Sequence, residues 1–161
     1  MNPDIRGVLI VKPAFRFTLV VAEFNKFLTS QLHIGACEEL LKLGALESQI
    51  RSIWVPGSFE IPTMAMAVAK AGDVSAIICL GCIIRGQTAH FDHVAANVAS
   101  GIAGIGPLTG VPTIFAIITA DTTEQAMDRA GLKMGNTGAH GARAAVEMAN
   151  TISRIGKGTG K

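Results

Sequence analysis

At 161 residues with a formal charge of +2, the chain is sized for one compact domain and lacks the basic excess of a nucleic-acid surface. Apolar residues make up 49% of it and charged ones only 16%. A domain this small does not hide so much apolar surface alone, so the excess reads as subunit interface and predicts a homo-oligomer, the alternative being an alanine-rich core.

The N-terminus shows no basic segment leading into a long apolar run, and no stretch approaches the ~20 apolar residues of a membrane span. Three cysteines, an odd number, argue against a disulfide framework and fit a reducing compartment. A cytoplasmic protein with neither membrane nor nucleic-acid partners is the expectation, organised as a single domain over residues 1–161.

Ile5 to Val11 carries the β-prone run Val8-Leu9-Ile10-Val11 ahead of Pro13. Residues 1–15 therefore read as an arm or edge strand, available to add to a neighbour's sheet. Phe17 to Val21 is the first firm strand, ending at Glu23-Phe24-Asn25. A helix follows from Ser30 to Leu43, with Leu32, Ala36, Leu40 and Leu43 on one face and Gly44 at its C-terminal end. Ile50 to Val55 is the second strand, closed by the turn Pro56-Gly57-Ser58-Phe59-Glu60-Ile61-Pro62. Pro62 suits the first turn of the next helix, which Gly72 ends.

Ala76 to Leu80 is a short apolar run of the kind that forms a buried strand. Arg85-Gly86-Gln87-Thr88 breaks the pattern, and from His90 to Ile105 apolar residues return at helical spacing: Ala95, Val98, Ala99, Ile102, Ile105. Thr113 to Ile118 is the fourth strand. Asp121-Thr122-Thr123-Glu124 opens a short helix to Ala130. A last helix covers Ala139 to Ile155, with Ala145, Met148, Ile152 and Ile155 expected to face inward, and residues 156–161 read as a flexible tail. Strand and helix alternate four times through connections too long for hairpins. The predicted fold class is α/β: a three-layer αβα sandwich, flavodoxin-like, with a four-stranded parallel sheet covered by helices on both faces.

Ligands of such sheets bind beyond the carboxyl ends of the strands. Phe24, the Gly57–Glu60 turn and the Gly86–His90 turn all follow strands, and should converge on one edge. The strand-to-helix junction at Gly86–His90 presents free N–H groups and the positive end of a helix dipole, a physical site for an anion such as phosphate. A plain connector has the same look, and no Walker sequence or G-x-G-x-x-G is present. His90 falls in the first helical turn. The dipole disfavours a charged imidazole and a bound phosphate favours one, a balance suited to proton transfer.

Other residue types carry weaker signals. His90, Asp92 and His93 have metal-ligand chemistry, but no second cluster accompanies them, so no metal is expected. Cys79-Leu-Gly-Cys82 matches C-x-x-C, yet on a strand residues three apart face opposite sides, which argues against thiol redox work. Glu60 lies between Phe59 and Ile61; buried there it needs donors, which a polyol would supply. Phe24 and Phe115, each at or near a strand end, are either stacking surfaces for a flat heterocycle or ordinary core aromatics. Arg129 is either a helix C-terminal charge or a phosphate clamp.

Together, Phe24-Asn25, Pro56-Gly57-Ser58-Phe59-Glu60-Ile61-Pro62, Gly81-x-x-Ile84-Arg85-Gly86-x-Thr88-x-His90-Phe91-Asp92, Thr119-x-Asp121-Thr122-x-Glu124-Gln125-Ala126 and Arg129-Ala130-Gly131 resemble the 6,7-dimethyl-8-ribityllumazine synthase family. The resemblance runs from Phe17 to Ile155. It implies the penultimate step of riboflavin biosynthesis, a transferase reaction needing no metal or organic cofactor. In it, 5-amino-6-(D-ribitylamino)uracil condenses with 3,4-dihydroxy-2-butanone 4-phosphate. By that similarity Phe24 stacks on the uracil ring, with Phe115 as a second aromatic. Ser58, Phe59 and Glu60 hold the ribityl chain, and Cys82, Ile83 and Ile84 meet the pyrimidine through main-chain groups. Gln87, Thr88 and Arg129 hold the butanone phosphate, and His90 moves protons.

The resemblance further implies a pocket between adjacent subunits of a homopentamer, with Phe115 and Arg129 supplied by the neighbour. Some family members build a sixty-subunit icosahedral shell, and the short link Leu132-Lys133-Met134-Gly135 is similar to theirs; riboflavin synthase is the partner such a shell encloses. One departure stands out: Asn136-Thr137-Gly138 occurs where many members have Asn-Lys-Gly. The rival readings are a non-catalytic flavin- or phosphate-binding module and a shell-forming protein on the same fold.

Overall fold

Four parallel strands pair in the order β2-β1-β3-β4: β1 is Phe17–Ala22, β2 Ile50–Val55, β3 Ala76–Ile84 and β4 Thr113–Ala120. The computed structural model describes residues 4–155, so the tail expected at 156–161 lies outside the described residues. Helices α1 (Lys26–Lys42), α2 (Ile61–Ala71), α3 (His90–Thr109), α4 (Thr123–Arg129) and α5 (Thr137–Ile155) connect and follow the strands. This is the expected αβα sandwich.

The alternation inside each central strand explains the layers. In β1 and β3, Leu19, Val21, Ile78, Leu80 and Cys82 point to one face, where they pack with α1 and α5. Val20, Ala22, Ile77, Cys79 and Ile83 point to the other, toward α2 and α3. Both faces being covered, these strands are apolar but for Thr18, the near-continuous pattern of parallel sheets. β2 is an edge and is correspondingly more exposed.

Several boundaries differ from the sequence expectation, each for a local reason. α1 begins at Lys26 rather than Ser30, because Asn25 takes a left-handed conformation (φ 58°) that starts the helix directly after the β1 turn. β3 continues four residues past Leu80, paired to β4 as far as Ile84↔Ala120. α3 runs through Pro107 to Thr109.

The inward face of α5 is a correction. Ala142, Ala145, Val146, Ala149 and Asn150 are buried, whereas Met148, Ile152 and Ile155 are 43%, 41% and 58% exposed. The helix lies too close to its neighbours to turn large side chains inward. A Cβ on Gly138 would strike the Leu32 carbonyl, and one on Gly141 would sit 2.9 Å from the Ala116 side chain. Small residues permit that approach, and the large apolar ones are left on the outside.

The Val8–Val11 segment adds no strand to its own sheet. It lies against α5, where the buried Asn150 amide donates to the carbonyls of Val8 and Ile10, 2.9 Å each. The Val11 N–H donates to Leu43 O at 2.9 Å.

Candidate functional site

The winding of the sheet reverses at β1: the chain passes outward to β2, then returns to place β3 on the other side. That reversal opens a crevice beyond the carboxyl ends of β1 and β3. Asn25 bridges it. Its left-handed backbone is one that asparagine tolerates, and its side-chain amide donates to the Cys82 carbonyl at 2.9 Å.

The turn after β2 forms one wall. Glu23 and Phe24 N–H groups donate to the carbonyls of Val55 and Pro56 at 2.7 and 3.0 Å, which pins the β1 turn to it. Ser58 is buried against β3 at Gly81, where an added Cβ would come 2.6 Å from Ser58 Oγ. Gly81 therefore lets the turn pack on the strand. Glu60 is exposed rather than buried, so it needs no internal donor, and Phe24 and Phe59 are exposed at 70% and 57%.

The opposite wall is the start of α3. A cleft of about 680 Å³ lies between the two walls, a size suited to a small organic molecule. Of the residues singled out from the sequence, Phe24, Ser58, Phe59, Glu60, Cys82, Ile83, Ile84, Thr88 and His90 all line it. Asn25, His93, Val94 and Asn97 line it as well; the sequence marks Asn25 only as part of the family motif and His93 only for metal-ligand chemistry, and Val94 and Asn97 are not expected there. His90, Val94 and Asn97 recur at helical spacing, a pattern overshadowed by the more apolar buried face of the same helix.

Three expected residues stand apart. Gln87 is exposed in the loop and does not line the cleft. Phe115 sits opposite Cys79 in the sheet register, on the amino-terminal half of edge strand β4, and is 44% exposed. Arg129, at the end of α4, lines a separate recess of about 350 Å³ together with Arg85, Phe91, Thr119, Asp121 and Gln125.

The thiols are unsuited to nucleophilic work. Burial pushes Cys82 up to about 11 and Cys79 up to about 12, so both stay protonated near neutrality. They also point into opposite core clusters. Asp92 is engaged by Arg85, and among the described residues no three His, Cys, Asp or Glu side chains are grouped to hold a metal ion. No helix among them is long and apolar enough to cross a membrane.

The sequence matches the family described as 6,7-dimethyl-8-ribityllumazine synthase over residues 14–153, most of its length. The chain belongs to the lumazine synthase family. That membership places it in riboflavin biosynthesis, with small-molecule substrates. Thr137 opens α5 in the Asn136-Thr137-Gly138 segment. Its hydroxyl donates to the Arg129 carbonyl at 3.1 Å, so it fastens the end of α4 and supplies no charge.

Proposed function

We propose that the protein condenses 5-amino-6-(D-ribitylamino)uracil with 3,4-dihydroxy-2-butanone 4-phosphate, releasing phosphate and water to give 6,7-dimethyl-8-ribityllumazine. The observation carrying this reading is that Phe24, Ser58, Glu60 and His90, four residues from three separate strand-to-helix junctions, border one cleft. Phe24 stacks on the pyrimidine, the Ser58–Glu60 turn takes the ribityl hydroxyls, and the main chain at Cys82–Ile84 meets the pyrimidine edge. Gln87 and Thr88 hold the phosphate at the α3 end. Phe115 and Arg129 reach this cleft from the neighbouring subunit of a homopentamer, which accounts for their separation from it within one chain.

The chemistry proceeds through an imine formed by attack of the uracil amine on the ketone, with loss of water. Phosphate then leaves by elimination, and the ribityl-bearing nitrogen closes the second ring with loss of a further water. His90 relays the protons. Because both reagents are reactive in themselves, most of the acceleration comes from holding them together.

Further expectations of the same reading are a cytoplasmic location, a neighbour's sheet extended by the N-terminal arm, and a sixty-subunit shell able to enclose riboflavin synthase. The test is to mix the purified protein with both substrates and follow lumazine fluorescence and phosphate release. One phosphate per lumazine is expected. Tight binding of finished flavin without turnover would instead assign a binding module.

A further inference from the structure

We propose that Arg85 is a positioning residue for His90, acting from outside the cleft; this rests on the proton-transfer role proposed for His90. Ile84 and Gly86 line the cleft, but Arg85 between them does not. Its guanidinium lies in the recess beyond β4. There Nε donates to Asp121 Oδ1 at 2.8 Å, and Nη1 donates to Asp92 Oδ1 and Oδ2 at 3.2 and 3.4 Å. The guanidinium carbon stands 4.3 Å from the centre of the Phe91 ring, a cation–π distance.

These contacts converge on the first turn of α3. Phe91 and Asp92 directly follow His90, while Asp121 follows the end of β4. The Arg85 N–H also donates to Ala120 O at 2.9 Å, so the residue is anchored to β4 at both ends. Phe91 also packs against the core under α2 and α3, but few polar contacts hold that turn. Its N-cap residue, Ala89, has no capping side chain, and the nearest substitute, Thr88 Oγ1, accepts from the His90 N–H at a long 3.5 Å. Gly86, which lines the cleft, has open space where a Cβ would stand.

Exposed ion pairs contribute little to stability one by one. A planar fork that engages two carboxylates from different elements and stacks on a ring gives direction instead. The consequence falls on where the imidazole sits, and the fold keeps its stability.

The test is a double-mutant cycle of Arg85→Ala and His90→Ala, with kcat and both KM values measured. Arg85→Ala alone lowers kcat about tenfold, within the roughly 100-fold that an ångström of misplacement can cost. KM for the ribitylaminouracil stays within about twofold, and in the His90→Ala background the same change costs less than about twofold. Arg85→Lys restores only part of the loss, since an ammonium cannot fork. Asp121→Asn cuts the anchor at its other end and gives the same dependence on His90, which keeps the test decisive if Arg85→Ala fails to fold. An equal loss with and without His90 overturns the proposal while leaving the proposed reaction standing. A His90→Ala variant with native kcat overturns the proton-transfer role of His90, and with it this proposal.

Discussion

The cleft beyond β1 and β3 and the recess beyond β4 open at the same edge of one sheet, and Phe91 borders both. Their linings differ. The cleft is built of aromatic and aliphatic side chains with a few polar groups, the character of a site for a flat, partly apolar molecule. The recess is lined mainly by charged and polar side chains: Arg85, Thr119, Asp121, Gln125 and Arg129. One chain thus carries an apolar cleft and an arginine-bearing recess that share only Phe91 among their lining residues. The proposed reaction needs a ring-binding surface and a phosphate-binding cation together, and the difference supports the proposal of a site completed between copies.

The largest effect expected from breaking that division is at Arg129. Losing a charge-assisted hydrogen bond costs about 1.5–3 kcal/mol, so Arg129→Ala raises KM for the butanone phosphate roughly 10–100-fold. Steady-state kinetics varying that substrate alone should find kcat nearly unchanged. His90→Ala sharpens the other half: kcat falls roughly 10–100-fold, at or below the usual range for general acid–base catalysis. Abolition of all turnover in an intact assembly would contradict the account in which proximity dominates.

Gly81→Ala probes the wall between core and cleft. Its new methyl meets Ser58 Oγ, Ile117 and Ile61, so overpacking should lower stability by about 1–3 kcal/mol in urea unfolding. The displaced Ser58 should raise KM for the ribityl substrate. Substitution at Gly104, which has open space around it, is the matched control and should leave KM alone.

The smallest effect concerns pH. Cys79 and Cys82 are pushed up from 9.0 to about 12 and about 11 by burial. A raised folded-state pKa means that the unfolded chain loses its thiol protons first as pH rises. The contribution of these cysteines is complete below pH 9 and declines as pH passes from there toward 11 and 12. Urea midpoints measured from pH 8 to 10.5 should fall, and Cys82→Ser should flatten part of the slope. At pH 7.5 a thiol reagent should label half-buried Cys37 before either strand cysteine.

The strand order of β1 and β3 was not readable from the sequence, but their identity was, because a strand buried on both faces is apolar nearly throughout. The convergence of Phe24, the Ser58–Glu60 turn and His90 was readable too, since each follows a strand whose carboxyl end must lie at the same edge. The face of α5 was not. Met148, Ile152 and Ile155 are the more apolar residues, yet close packing against α1 and the sheet selects Gly138, Gly141, Ala142 and Ala145 instead. Hydropathy alone reports what would gain from burial, and the clearance between helices decides what fits. Asn25 is legible only as part of a family motif, and its role is not, for a similar reason: its contribution is a backbone conformation together with one hydrogen bond to Cys82.

The division between cleft and recess is tested most directly by subunit mixing. His90→Ala and Arg129→Ala chains are denatured together and refolded, and turnover is read at limiting butanone phosphate. If each site joins the cleft of one chain to Arg129 of the next around a closed ring, about a quarter of the sites in a random equal mixture regain both groups. Activity should approach that fraction of native and exceed the average of the two variants refolded separately. A mixture no more active than that average would contradict the shared site.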